Sequence, residues 1–290
     1  MKTSILLFAA ALCAPAATFY LTVSGLGGEA DYTERFNMWA RDIDASLRKA
    51  GGDSNIALLE APTREKIRAE MARLASQAKP ADSVVVMLIG HGTFDGVEYK
   101  FNVPGPDITA QELASLLDRI PAARQCVAVM TSSSGGAIES LRKPGRVVVA
   151  ATKSGTEKNA TVFARYWAEA LRDPAADSDK SESISALEAF LYAQHKTKQS
   201  FDAQQRLATE HAVLEDPGGL AASFLLVRLG ANAAAANDPA KRPLLDRKEA
   251  LEQAIDKLKF EKAALPADEY KKRLAALLVE LARVQEAIEK

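Results

Sequence analysis

Short apolar runs alternate along the chain with longer amphipathic stretches. The apolar runs predict strands over residues 19–24, 55–60, 83–90, 125–131 and 146–151. They are rich in valine and mostly lack polar alternation, which is typical of strands buried on both faces of a parallel sheet. The first run alternates more, with Phe19, Leu21 and Val23 on one face. The pattern favours a sheet that is covered by helices on both sides.

The stretches between these runs have the spacing of amphipathic helices. They predict helices over residues 33–50, 63–78, 110–118, 138–141, 161–171, 184–198 and 203–212. Strand and helix therefore alternate through the first 171 residues. This order predicts an α/β fold, a three-layer sandwich with a mainly parallel sheet and right-handed crossovers.

Residues 93–108 interrupt the alternation. Residues 94–101 are typical of a small hairpin with its turn at Asp95-Gly96. Asp107 and Thr109 are both candidate N-caps of the next helix, and Glu112, three residues after Thr109, would complete a capping box.

The last part of the chain has a different character. Residues 17–230 form the predicted α/β domain, and residues 231–242 a linker or frayed helix. Residues 243–290 keep apolar positions at 4–3 spacing, and Pro266 suits the start of a second helix. The pattern predicts a helical hairpin in the coiled-coil style. It either packs against itself and the main domain or mediates self-association.

Composition narrows the function only slightly. The 290 residues and 48% hydrophobic content suit one large domain with an extension. A net charge of −1 gives no reason to expect nucleic acid as a partner.

The first residues resemble a secretory signal. Lys2 is followed by the apolar residues 5–12 and by Ala14-Pro15-Ala16, a small-x-small cleavage site. We predict a signal peptide at residues 1–16 and a mature, exported chain that is periplasmic or secreted. The alternative is an uncleaved membrane anchor, because no charge occurs from Thr3 to Gly28. Cleavage would leave Cys126 as the single cysteine and exclude an intramolecular disulfide.

Candidate chemistry lies at the ends of two apolar runs. His91 follows one run and Ser132 the next. If the two strands are neighbours, both residues lie at the carboxyl edge of the sheet, where α/β proteins hold ligands. Gly92 adjoins the histidine, and Gly135-Gly136 follows the serines. The two glycines precede a predicted helix, where free backbone N–H groups could form an oxyanion hole.

This arrangement resembles the caspase-like cysteine peptidases, and most closely the legumain branch, the C13 peptidases. Those enzymes have a strand ending in His-Gly and a next strand ending in Cys-x-Ser-Gly. The resemblance covers residues 18–229. It implies a caspase-like sheet, His91 as catalytic histidine, Gly92 as backbone oxyanion donor and a peptide or protein as ligand. Ser132 falls on the catalytic cysteine, and Ser134 becomes a candidate substrate-binding residue.

Ser132 departs from the family because a serine hydroxyl is far less acidic than a thiol. It needs an oriented base and usually a third group. Asp95 and Glu98 are near in sequence, but neither is identified as that group. Cys126 lies at the other end of the strand and is interpreted as a buried core thiol.

Three hypotheses follow. We favour a catalytically degenerate homologue that binds a peptide or protein. The alternatives are an active hydrolase or endopeptidase with a Ser132–His91 dyad, and a chance pairing on a generic α/β fold.

Other motifs carry weaker signals. Residues 25–30 formally match a dinucleotide-binding fingerprint, with Glu60 at the end of the next strand, but the spacing is too long. We therefore expect no cofactor. Arg35, after this loop, is a candidate for recognising an acidic or polar side chain. His211 lies among carboxylates with no zinc-site spacing, so no metal is expected.

Overall fold

A computed structural model describes residues 16–51 and 55–290. The signal peptide predicted at residues 1–16 lies, apart from Ala16, outside the described residues. The strands are β1 (Thr18–Ser24), β2 (Ile56–Glu60), β3 (Ser83–Gly90), β4 (Gly92–Phe94), β5 (Tyr99–Phe101), β6 (Ile108–Thr109), β7 (Arg124–Thr131), β8 (Arg146–Ala150), β9 (Ser183–Ser185), β10 (Val213–Glu215) and β11 (Leu225–Arg228). The α-helices are α1 (Ala30–Lys49), α2 (Arg64–Gln77), α3 (Ala110–Asp118), α4 (Ile138–Leu141), α5 (Phe163–Ala170), α6 (Ala186–Ala203), α7 (Gly230–Ala236), α8 (Arg242–Phe260) and α9 (Ala267–Glu289).

The central sheet has six strands in the order β10-β8-β7-β3-β1-β2. The five strands predicted from the apolar runs pair in parallel, and β10 adds an antiparallel edge beside β8. The predicted α/β class with a mainly parallel sheet is therefore confirmed. The edge strand β10 was not predicted because three residues give no periodicity to recognise.

Alternation along each strand divides the interior into two cores. In β3, Val85 and Ile89 pack with α1, α5 and α6, whereas Val84 and Leu88 pack with α2 and α3. Both faces of β3 are buried because successive side chains of a strand point to opposite sides. Helices on both faces therefore fix the sheet, and its carboxyl edge holds the candidate site.

The interruption after β3 is a separate small sheet of β4, β5 and β6. The hairpin prediction is confirmed, because Gly92 pairs with Phe101 and Phe94 with Tyr99. The Asp95 carboxylate accepts the Val97 and Glu98 N–H groups and so closes the turn. Of the two candidate caps, Thr109 is the N-cap of α3, and its hydroxyl accepts the Glu112 N–H at 3.1 Å.

One predicted helix is wrong. Residues 204–212 form turns and irregular structure that lead into β10. Gln205 has φ +54°, a left-handed conformation that ends α6, and the segment then turns toward the main core, where Glu210 is buried. An amphipathic pattern cannot distinguish such a segment from a helix. Part of the predicted linker is helical, as α7.

The C-terminal segment forms the predicted helical hairpin. Lys241, just before α8, donates from Nζ to the Ile288 carbonyl near the end of α9, so the two helices run antiparallel. Arg228 of β11 forms an ion pair with Glu249 at 2.6 Å, which ties α8 to the main domain. None of the helices within residues 16–51 and 55–290 has both the length and the apolar character needed to cross a membrane.

Candidate functional site

The register of β3 and β7 places His91 and Ser132 together at the carboxyl edge. Gly90 is opposite Thr131, so the next residue of each strand leaves the sheet at the same level. This is the juxtaposition expected from the two sequence motifs. The geometry of each side chain decides what the pair can do.

The Ser132 hydroxyl is bonded on both sides to the backbone of Gly92. It donates to the Gly92 carbonyl oxygen at 3.0 Å and accepts from the Gly92 N–H at 3.1 Å. The residue is only 2% exposed. A general base must lie within hydrogen-bond reach of the proton that it removes. Here the hydroxyl proton is directed at a carbonyl oxygen.

The His91 ring has other partners. Its centroid lies 4.8 Å from that of Tyr32 and 5.0 Å from that of Phe36, both in edge-on contact from α1. Burial lowers the pKa of His91. A hydrogen bond to the Gly27 backbone and the charge of Glu29 act in the opposite direction but do not outweigh burial. The imidazole is therefore neutral at neutral pH. Within the described part of the chain, no hydrogen bond joins it to Ser132.

The serine turn, residues 132–136, is held from several sides. Ser133 has φ +57°, and its N–H donates to the Glu157 carbonyl oxygen at 2.8 Å. The Gly135 N–H donates to Thr152 Oγ1 at 2.9 Å, and the Gly136 N–H to the Ser133 carbonyl at 3.0 Å. The expectation of free N–H groups at the two glycines is wrong, because internal acceptors bind both.

Ser134 is completely buried, and its hydroxyl accepts from the Thr152 N–H at 3.0 Å. The structure places this candidate substrate-binding residue inside the turn. Gly92 is equally confined, because a Cβ there would lie 2.6 Å from the Ser132 carbonyl oxygen and 2.5 Å from the Tyr99 ring. Only glycine fits this close approach.

Residues 152–162, the cover loop, close the turn from outside. His211 Nδ1 lies 2.6 Å from Glu157 Oε1, which fixes the middle of the loop. Glu210 Oε2 accepts the Val162 N–H at 2.8 Å, while its Oε1 is buried without a partner. Burial is the main cause that raises the Glu210 pKa to about 8, and the Glu157 charge adds to it. Sequence reasoning noted His211 and the carboxylates beside it in the chain but missed Glu157, because only the fold brings residues 157 and 210 together.

A cavity of about 330 Å³ is lined in part by Tyr32 and Phe36, the two rings that contact His91, and we call it the arginine cavity. Its lining includes Tyr32, Arg35, Phe36, Thr161 and Arg206. The Arg35 guanidinium lies 4.8 Å from the Tyr32 ring centroid. Neither arginine forms an ion pair with a residue that the structure describes. Sequence reasoning named Arg35 but not Arg206, which lies within the helix wrongly predicted at 203–212.

The remaining candidates are structural. Cys126 is a free, buried thiol whose pKa burial raises to about 12, so its interpretation as a core residue is confirmed. Glu60 forms an ion pair with Arg41 of α1, with Nη2 to Oε2 at 2.9 Å. Asp95 and Glu98 close the β4–β5 turn, and Lys100 lies 3.9 and 3.8 Å from their carboxylates.

Comparison with known proteins gives the fold a family. The family model described as "Caspase domain" matches residues 39–213, more than half of the chain. The structure is similar to that of caspase-1 from Spodoptera frugiperda, with a TM-score of 0.53, 13% identity, and coverage of 73% of this chain and 90% of that chain. It is also similar to a structure described as pro-sf-caspase-1, with a TM-score of 0.51, 11% identity, and coverage of 73% and 94%. A search of curated proteins found no match.

Proposed function

The chain belongs to the caspase-domain family, and on that premise we propose that it is an exported, catalytically degenerate member that binds a peptide or protein at the carboxyl edge of the sheet. The family resemblance argues against a chance pairing of His91 and Ser132. It also supports Ser132 as the position of the missing cysteine, because Ser132 directly follows β7, beside the end of β3.

The bonding of Ser132 carries the proposal. Its hydroxyl is buried and bound in both directions to Gly92, while His91 packs against Tyr32 and Phe36. A nucleophile needs an exposed path to the substrate and a base that receives its proton. Ser132 has neither an exposed path to a substrate nor a base that receives its proton. The Gly92 N–H, which the resemblance assigns to the oxyanion, donates to the serine instead.

The arginine cavity supports an acidic ligand side chain. Arg35 and Arg206 line it beside aromatic rings that also contact His91. A guanidinium binds a carboxylate with paired, charge-assisted hydrogen bonds, and these are stronger than neutral ones. We therefore propose that the ligand presents an aspartate or glutamate to this cavity.

Binding of peptides tests this proposal directly. We expect a library of acidic peptides to yield ligands whose affinity falls on the order of tenfold or more in Arg35→Ala and in Arg206→Ala. The exposed Arg119, after α3, is a matched control, and Arg119→Ala should leave affinity unchanged. Equal binding by all three variants would contradict the role of the arginine cavity.

Turnover separates the proposal from its alternative, an active hydrolase that uses the Ser132–His91 dyad. We expect the purified mature protein to turn over neither peptide nor ester libraries. Turnover that is abolished by both His91→Ala and Ser132→Ala would establish the alternative. Ser132→Cys asks a sharper question, because activity gained with a thiolate would mean that the rest of the catalytic site is intact.

The legumain subtype is also a proposal. The spacing of Ser132, Ser134 and Gly135 supports it, since it matches Cys-x-Ser-Gly with serine in place of cysteine. Activity gained in Ser132→Cys and lost in a folded Ser132→Cys/Ser134→Ala double variant would favour this branch, because its motif needs both positions. Activity that does not depend on Ser134 would reject it.

Export and self-association complete the proposal. Lys2, the apolar residues 5–12 and the site at residues 14–16 support a cleaved signal, which N-terminal sequencing of the mature protein tests. A chain that retains Met1 would contradict cleavage.

Leu278 and Val279 of α9 are 47% and 53% exposed and support self-association through the hairpin of residues 243–290. Light scattering of Leu278→Glu beside wild type measures it.

A further inference from the structure

Residues 177–188 have the spacing of a calcium-binding loop. They read Asp-Ser-Asp-Lys-Ser-Glu-Ser-Ile-Ser-Ala-Leu-Glu. EF-hand loops place oxygen ligands at positions 1, 3, 5, 7 and 12, with a carboxylate at 1 and a glutamate at 12. Asp177, Asp179 and Ser181 occupy positions 1, 3 and 5, and Glu188 occupies position 12. The match departs at position 6, where Glu182 replaces glycine.

The fold brings these carboxylates together. One oxygen each from Asp177, Asp179 and Glu188 lies within 4.8 Å of the others. Asp177 and Glu188 are only 6% and 9% exposed. In the part of the chain that the structure describes, no lysine, arginine or histidine forms an ion pair with any of the three. Neutral donors of the loop satisfy their oxygens: Glu188 accepts the N–H groups of Ser178 and Ser185, and Asp177 accepts those of Ser181 and Glu182. These donors do not cancel the negative charges, so three converging carboxylates without an ion pair would stabilise a bound cation.

The rest of the loop follows the same pattern. Glu182 has φ +59°, the left-handed conformation for which EF-hand loops use glycine. Ile184, at position 8, is completely buried, and β9 around it pairs with β11. Glu188 lies in the first turn of α6. Glu182 therefore adopts at position 6 the left-handed conformation that glycine has in EF-hand loops.

We propose that this segment, the acidic loop of residues 177–188, binds a calcium ion. The carboxylates of Asp177, Asp179 and Glu188, the Ser181 hydroxyl and the Ser183 carbonyl would supply the ligands. A set of oxygen donors on a loop suits Ca²⁺, whereas Mg²⁺ demands a stricter octahedron. A cavity of about 680 Å³, lined by Asp179, Glu188 and the hairpin helices, gives solvent access to the loop. The expectation that the chain holds no metal is replaced by this proposal.

The acidic loop also anchors the C-terminal hairpin. Lys248 of α8 donates from Nζ to the Ser181 carbonyl at 2.9 Å, and Asn232 Nδ2 donates to the same oxygen at 2.9 Å. The Glu182 carboxylate accepts the Ala231 N–H at 3.0 Å. An ion that orders the loop would thus stabilise the attachment of α7 and α8. The site does not depend on the proposed peptide-binding function.

Titration calorimetry with CaCl₂ on the full mature chain, after dialysis against a chelator, tests the proposal. We expect one ion per chain and a calcium-dependent rise in the unfolding temperature. Asp179 is exposed, so Asp179→Asn should fold and weaken calcium affinity on the order of tenfold or more. Asp202→Asn, an exposed aspartate at the end of α6, is the matched control and should bind as wild type does. MgCl₂ should bind more weakly.

Two results would overturn the proposal. One is the absence of both binding heat and thermal shift at millimolar calcium in a folded wild-type protein. The other is unchanged calcium binding in Asp179→Asn. Circular dichroism of each variant without calcium separates loss of binding from loss of folding. Failure of peptide binding, measured in chelator, would concern the proposed function alone.

Discussion

The serine turn and the acidic loop are two polar clusters in one domain, and they differ in how their polar groups are satisfied. In the serine turn, the Ser132 hydroxyl and the N–H groups of Ser133, Gly135 and Gly136 all bond to protein atoms. In the acidic loop, three carboxylates converge and accept N–H groups of the loop itself, and among the described residues none of the three forms an ion pair. Apart from the Ser133 hydroxyl, which is buried without a partner, the named polar groups of the serine turn are paired, whereas the acidic loop retains uncompensated negative charge.

This difference indicates that the serine turn retains the fold of a catalytic site without free groups to bind a substrate, whereas the acidic loop can still bind an ion. The Ser132 hydroxyl and the N–H groups of the turn are already bonded internally, so a bond from any of them to a substrate must first replace an internal one. A loop in which carboxylates converge without an ion pair is stabilised when a cation binds. The family resemblance drew attention to the serine turn, whereas the uncompensated negative charge lies in the acidic loop, about 45 residues later in sequence.

The largest loss of stability is expected from a substitution at Gly92, where the backbone of the serine turn packs most closely against its neighbours. Gly92→Ala should lower the free energy of unfolding by about 3 kcal/mol or more, because the new Cβ would meet the Ser132 carbonyl and the buried Tyr99 ring. Urea unfolding measures this. Gly218→Ala is the control, since its Cβ would have no neighbour closer than 4.0 Å. Equal stability of the two variants would mean that the turn is loosely packed.

The cover loop should make stability depend on pH. Glu210 titrates at about 8 in the folded chain, above its ordinary value of 4.5, so its contribution to stability is complete at low pH and is lost as pH rises toward 8. Relative to Glu210→Gln, wild type should lose a few kcal/mol between about pH 5 and pH 8. Gln can still accept the Val162 N–H.

Denaturant unfolding at several pH values checks this prediction. Glu34→Gln, at an exposed position of α1, is the control and should follow the wild-type profile. Parallel profiles for wild type and Glu210→Gln would show that Glu210 ionises normally. The cover loop would then close the serine turn without strain.

Removing the bond between the C-terminal hairpin and the acidic loop should cause an intermediate loss of stability. Lys248 is 4% exposed and bonds to the Ser181 carbonyl and to Asn232 Oδ1, so Lys248→Met should cost about 1–3 kcal/mol. Lys257→Met, at an exposed position of the same helix, should cost little. Hydrogen exchange of α8 amides should rise only in Lys248→Met. Equal exchange in both would remove the anchoring role of the loop.

Two neighbouring serines provide the smallest and most specific test. Ser132→Ala removes the bonds to both backbone groups of Gly92 and should lower the free energy of unfolding by about 1–2 kcal/mol. The Ser133 hydroxyl is buried without a partner, so Ser133→Ala should be neutral or slightly stabilising. Thermal unfolding of the pair measures the difference. The opposite order would mean that Ser133, and not Ser132, holds the turn.

Local patterns predicted most of the scaffold. The five apolar runs gave the parallel strands within a residue or two, and α3 and α4 began and ended where predicted, because strand and helix periods are written into neighbouring residues. Residues 203–212 show the limit of this approach. Their amphipathic spacing predicted a helix, but a left-handed Gln205 and the burial of Glu210 decided otherwise.

The sequence by itself determined the α/β order and the placement of His91 and Ser132 at strand ends, since both depend on local succession. The spacing of residues 177–188 is also local, but its interpretation as a ligand set came only after the fold brought the carboxylates together. Only the tertiary structure decided that the Ser132 hydroxyl bonds to Gly92, that His91 packs between Tyr32 and Phe36, and that Glu157 and Glu210 meet over the serine turn. These contacts join residues 40 or more positions apart, and side-chain direction and burial at such distances follow from packing of the whole domain.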